Sequence, residues 1–63
     1  MTKPTVQLVG EDGNIFNLIA ICRKRLRQEG YSQEEINTFT EEVQSSDSYD
    51  QALLVITKWF EVE

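Results

Sequence analysis

Thr5-Val6-Gln7-Leu8-Val9-Gly10-Glu11-Asp12-Gly13-Asn14-Ile15-Phe16 is the stretch on which the fold turns. Val6, Leu8 and Val9 follow Pro4 in a run from Thr5 to Val9. Valine and threonine suit a strand, and proline suits its first or edge position. The run ends at Gly10-Glu11-Asp12-Gly13-Asn14. An Asp-Gly pair between apolar runs is a turn signal, because both residues tolerate positive φ. Beyond it the chain either forms a hairpin into Ile15-Phe16 or turns straight into a helix capped by Asn14 or Asn17; both readings stay open. A lone strand leaves a row of backbone donors and acceptors unpaired. Its partner is residues 14–17 in a hairpin, the tail at 61–63, or the same strand of a second copy.

Outward from this stretch the pattern is helical. Ile15, Leu18, Ile19, Cys22 and Leu26 recur at i, i+3, i+4, i+7 and i+11, one stripe of a helix reaching about Glu29. Gly30 ends it, with Arg23, Lys24, Arg25 and Arg27 in its last turns, where cations complement the carbonyl end. Ser32-Gln33-Glu34-Glu35 has the capping-box form and opens a second helix, to about Gln44, with Ile36, Phe39 and Val43 inward. Ser45-Ser46-Asp47-Ser48 breaks the chain. A third helix starts after Asp47 or Ser48 and reaches about Phe60. Its broad face of Ala52, Leu53, Val55, Ile56, Trp59 and Phe60 reads as central and well buried. Glu61-Val62-Glu63 alternates like a stub of strand.

The chain has 63 residues, enough for one domain spanning 1–63, with residues 1–4 expected to be loose. A domain of this length buries roughly 60% of its unfolded surface, and small domains commonly add a staple. One cysteine, Cys22, allows no internal disulfide, and the chain has no histidine, the commonest metal ligand. Good packing or oligomerisation is left as the source of extra stability. Eleven acids against six bases give a net charge of −5, which works against general nucleic-acid binding. Met1-Thr2-Lys3-Pro4 lacks the look of a secretory leader. Apolar runs such as Ala52–Ile56 fall far short of the roughly 20 residues that span a bilayer. A cytoplasmic protein without membrane attachment is the expectation.

Among candidate sites, the cluster Arg23, Lys24, Arg25 and Arg27 holds four of the six bases. On a helical wheel Arg23, Lys24 and Arg27 face away from the core and Arg25 flanks it. The cluster reads as a phosphate or acidic-partner patch, or more plainly as a solvated helix end paired with the acids of the second helix. The segment Arg27–Ile36 has the glycine-bearing joint of a helix-turn-helix. Its second helix, however, carries Glu34, Glu35, Glu41 and Glu42 and no base, so phosphates would repel it and an ordinary corner is the better reading. The Gly10–Asn14 loop lacks the lysine of a phosphate loop and the six or so oxygen ligands of a calcium loop. It is a tight turn, or, through Glu11, Asp12 and Asn14, a partner-contact loop. Cys22 lies on the core stripe with no histidine to activate it, so it reads as a small buried hydrophobe. Trp59, Phe60 and Tyr49 read as core or interface rather than a ligand box.

The opening Val6–Phe16, the basic helix after it and Gly30-Tyr31-Ser32 resemble short uncharacterised proteins of bacteria, their phages and mobile elements. The resemblance implies that the Gly-Glu-Asp-Gly-Asn loop is characteristic of the group. It transfers no activity and no site residue.

The expectation is therefore a small α+β domain: a short N-terminal strand or hairpin and three helices. Its core comprises Val6, Leu8, Leu18, Ile19, Cys22, Leu26, Ile36, Phe39, Leu53, Ile56 and Phe60. No catalytic set, metal or cofactor is expected. The leading function is a non-enzymatic module that binds another protein, itself a homodimer. The alternatives are a nucleic-acid-associated regulator using the basic end of the first helix, or an acidic decoy of a nucleic-acid-binding protein. Candidate contact residues are Glu11, Asp12, Asn14, Arg23, Lys24 and Arg27.

Overall fold

The computed structural model describes residues 3–63. Its elements are β1 (Thr5–Val6), α1 (Ile15–Gln28), α2 (Gln33–Gln44), α3 (Tyr49–Trp59) and β2 (Glu61–Val62). This is an α+β domain in which three helices form the crossover between two short parallel strands. Parallel neighbours require such a long connection.

The tail is the strand's partner. Thr5 lies opposite Glu61 and Val6 opposite Val62. The Glu61 N–H donates to the Pro4 carbonyl at 2.9 Å and the Glu63 N–H to the Val6 carbonyl at 2.8 Å. The strand is shorter than the predicted Thr5–Val9 because β2 offers only two residues to pair. Past Val6, the Leu8 and Val9 N–H groups converge on one acceptor, the Glu63 carbonyl, at 2.6 and 3.0 Å. The Thr5 carbonyl, on the other edge, accepts from Arg25 Nε at 2.9 Å. The expected loose segment 1–4 falls partly on residues 1 and 2, outside the described residues. Pro4 is buried, and Lys3 Nζ donates to the Thr57 carbonyl at 2.8 Å.

No hairpin forms after the loop, which leads directly into α1. The turn sits earlier than the Asp-Gly pair implies. The Glu11 N–H bonds the Leu8 carbonyl at 3.1 Å, with Gly10 at φ +87° in the third position. A turn with positive φ there favours glycine. Gly13, by contrast, has no positive φ; positive φ occurs only at Gly10 and Gly30 among the described residues. Asp12 Oδ1 accepts from the Asn14 N–H at 3.1 Å, and Asn14 Oδ1 accepts from the Phe16 N–H at 2.9 Å, which caps α1. Asn17, the other candidate cap, instead donates from its side chain to the Asp12 carbonyl at 3.0 Å.

The other helix ends follow their sequence signals. Gly30, at φ +86°, closes α1: the Gly30 N–H bonds the Arg27 carbonyl and the Tyr31 N–H bonds the Leu26 carbonyl, both at 3.1 Å. These are the paired bonds of a Schellman end, which need a left-handed residue. Ser32 and Glu35 exchange side-chain bonds at 3.1 and 3.0 Å to cap α2. Ser48, rather than Asp47, caps α3, accepting from the Gln51 N–H at 3.2 Å.

Phe39 sits at the centre of the core, fully buried, with edge-on contacts to Trp59 (5.5 Å between ring centroids) and Phe60 (5.6 Å). Val6, Leu18, Ile19, Cys22, Leu26, Ile36, Val43, Ala52 and Ile56 are also buried. Leu8 and Leu53, expected in the core, are only half-buried at its margin, and Val43 and Ala52 take the inward places. The reason lies in α3. Its inward line runs through Ala52 and Ile56, so Leu53, Val55 and Trp59 flank that line and Leu54 points out at 60% exposure. The expectation of a central, enclosed third helix fails because, among the described residues, no further element covers its outer side.

Deleting residues 61–63 removes the acceptor of the Leu8 and Val9 amides and the donors to Pro4 and Val6. At about 1 kcal/mol for each net bond, the loss is a few kcal/mol. We expect hydrogen exchange at Leu8 and Val9 to rise to open-loop rates while Leu26 and Phe39 remain the slowest amides. Unchanged protection at Leu8 and Val9 would show that the pairing contributes nothing.

Candidate functional site

The far end of the Gly10–Asn14 loop meets the helices where α1 and α3 begin and α2 ends. The eleven residues of α3 separate this end from β2 by roughly 16 Å at 1.5 Å per residue. There the first turn of α1, the last turn of α2 and the first turn of α3 leave a groove of about 420 Å³. Ile15, Phe16, Ile19, Val43, Tyr49 and Ala52 form most of its walls, with Gln44, Ser46 and Ser48 at one side. Ile19, Val43 and Ala52 are core residues, so the groove floor is the end of the hydrophobic core. Phe16 stands on the rim, 73% exposed. The Tyr49 hydroxyl donates to the Gly13 carbonyl and so ties α3 to the loop. A β-carbon on Gly13 would stand 3.4 Å from that hydroxyl, in van der Waals contact.

The sequence signal for this groove lies in Phe16 itself. The inward stripe of α1 runs through Ile15, Leu18, Ile19, Cys22 and Leu26, and Phe16 falls about 100° from Ile15 on the wheel. A large apolar residue outside an amphipathic stripe has no place in the domain's own core.

The structure separates the residues singled out from the sequence into two sets. Glu11, Asp12 and Asn14 lie at the N-terminal end of α1, beside the groove. Arg23, Lys24 and Arg27 lie toward its other end; fourteen residues span roughly 21 Å. Asp12 and Asn14 spend part of their bonding capacity on the loop and the cap, whereas the Glu11 side chain makes no ion pair among the described residues. Arg25 is committed to the fold, through the Thr5 carbonyl and through Glu29 at 3.7 Å. The expected pairing of the first helix's bases with the acids of the second does not occur among the described residues. Glu42 pairs instead with Lys58 of α3 at 3.2 Å, and Glu35 is held in the capping box. Arg23, Lys24 and Arg27 form no ion pair among the described residues. Lys24 and Arg25 line a second, polar cleft of about 420 Å³ beside β1, shared with Thr5, Gln7, Gln28 and Glu63.

Chemistry-bearing groups do not converge in either place. Among the described residues, no group of three His, Cys, Asp or Glu side chains is placed to hold a metal. No helix among them is long and apolar enough to cross a membrane. Cys22 is fully buried. Its thiol is pushed up to about 12 from its usual value near 9, because burial disfavours the thiolate. No protein-family model, curated protein or solved structure matches the chain.

The buried thiol has two measurable consequences. Cys22 should resist alkylation at pH 8 in the native protein and react fully once denaturant unfolds it. Because the folded state keeps the proton that the unfolded state loses near pH 9, the thiol's contribution to stability is intact below that pH. It is lost as pH rises toward about 12. Rapid alkylation of the native chain at a rate independent of denaturant would contradict this placement.

Proposed function

We propose that the chain is a protein-binding module without catalytic activity, and that the groove beneath Phe16 is its contact surface. The observation that carries this reading is the groove: an apolar hollow continuous with the core, with a phenylalanine exposed on its rim. A single exposed phenylalanine is ordinary on a protein surface, but an apolar residue bordering an apolar hollow makes a patch that a partner can fill. At about 420 Å³ the hollow falls within the roughly 300–1,000 Å³ of ligand pockets.

The homodimer loses one of its four supports: the strand in need of a partner has it in the tail, while small size, absent staples and the broad apolar face of α3 still favour it. The radius of gyration, 10.7 Å, is close to the roughly 10.6 Å of a compact domain of this length, so a single copy is already compact.

Arg23, Lys24 and Arg27 keep the nucleic-acid reading as the second choice, since no acid among the described residues pairs with them. Glu29, Glu34 and Glu35 lie at the same end of the molecule, near the turn between α1 and α2, and offset much of that charge. The acidic-decoy reading has only the net charge of −5 behind it.

Selection of displayed random peptides on the wild-type chain and on Phe16→Ser tests the first reading. Phe16 is exposed, so the substitution should change stability by no more than about 0.5 kcal/mol. We expect enriched peptides that bind wild type and lose at least tenfold on Phe16→Ser. Peptides indifferent to Phe16, or none at all, would overturn the groove as a contact surface. A gel-shift series tests the second reading. Three phosphate contacts predict a log–log salt slope of about −2.7; no shift at low salt ends it.

A further inference from the structure

We infer that the occupant of this groove is a short amphipathic helix of another protein with a basic polar face; the inference rests on the groove being the contact surface. Two features of the groove lead to it. The first is where it lies. It sits between helix ends and no residue of β1 or β2 lines it, so an arriving segment finds no strand there with which to pair its backbone. Recognition then falls to side chains, and a segment whose backbone bonds are already satisfied within a helix loses nothing by docking there. The apolar side chains on one face of that helix, spaced i, i+3 or i+4, fit a hollow walled by Ile15, Phe16, Ile19 and Tyr49.

The second feature is charge. Asp47 lies between Ser46 and Ser48, which line the groove, and Asp50 follows Tyr49. Asp12 bonds the Asn14 amide at 3.1 Å just before Ile15, and Glu11 precedes Asp12. These four carboxylates form no ion pair among the described residues. Opposing them, the N-termini of α1 and α3 contribute roughly half a positive charge each. The nearest base along α1, Arg23, stands one turn beyond Ile19. Against four full negative charges these leave the surround of the groove negative. A basic face on the occupant gains from that field, and an acidic face is repelled. The same field disfavours a second copy, because two chains of net charge −5 meeting at their acidic ends repel each other.

The test uses three capped helical peptides with one identical apolar face of two leucines and a phenylalanine. Their polar faces carry lysine, glutamine or glutamate. Each is titrated into the isotope-labelled full chain, following amide resonances. The lysine peptide should move Phe16, Ile19, Tyr49 and Ala52 and bind at least tenfold tighter than the glutamate peptide at low salt. Raising the salt should narrow that gap. The double variant Asp47→Asn/Asp50→Asn, at two exposed positions, should weaken the lysine peptide several-fold and leave the glutamine peptide unchanged. Equal binding of all three at these residues would overturn the basic partner and leave the groove standing. Binding of none of them, or shifts confined to other residues, would overturn both. Shifts of the same four residues with protein concentration alone would assign the groove to a second copy and overturn the proposal.

Discussion

The parallel pairing of Pro4–Val6 with Glu61–Glu63 is the constraint on which the other elements depend. It brings together residues more than fifty positions apart in the chain, and α1, α2 and α3 must fill the crossover between them. The pairing gives the strand's inner edge its partners, while Arg25 supplies a donor to the Thr5 carbonyl on the other edge. Val6 and Phe60, next to the paired residues, then reach the core, and Phe60 meets Phe39 edge-on. Without the sheet Phe60 would end a frayed helix. With it, Phe60 is anchored from both sides. Aromatic edge contacts of this kind add about 0.5–1.5 kcal/mol beyond their buried area, a sizeable share of what so small a domain can hold.

Local signals were legible in the sequence wherever the physics is local. The Ser32–Glu35 box and the Gly30 helix end involve residues within five positions of one another and appear as read, and in the α1 stripe, whose successive members stand three or four apart, all but the half-buried Ile15 are buried. The strand's partner was legible only as one of three options, because pairing across the whole chain is decided by tertiary packing. The turn lies earlier than the Asp-Gly pair implies for a related reason. Asp12-Gly13 carries the stronger pair signal, but Asp12 and Asn14 are needed to cap α1. Asp12 therefore supports an Asn14 cap while Gly10 takes the positive φ. The width of the apolar face on α3 misled in another way. A broad face implies burial only if an element exists on each side to cover it, and a three-helix chain provides cover on one side.

The candidate contact residues divided along a physical line as well. Charge and loop composition pointed to both ends of α1. Neither could show that Arg25 is engaged by the fold while Arg23, Lys24 and Arg27 are not, since that depends on where β1 lies. The exposure of Phe16 is legible only once Ile15 is known to open a helix, because Phe16 suits a hairpin strand as readily.

The groove follows from the same economy. Three helices packed around one phenylalanine cover the core along their sides, and the ends of the bundle need other segments to close them. At the sheet end, β1 and β2 cover the opening. At the opposite end the Gly10–Asn14 loop and the Ser45–Ser48 connection are present; the loop is tied back through Tyr49 and Gly13, and Ile15, Ile19 and Ala52 still line an open groove. Leaving Phe16 in water there forgoes roughly 1.5–3 kcal/mol that full burial would provide. For a domain near the lower size limit this is a large sum to leave unrealised. A partner side chain inserted beside Phe16 would recover part of it, and would cover an end of the core that the described residues leave open.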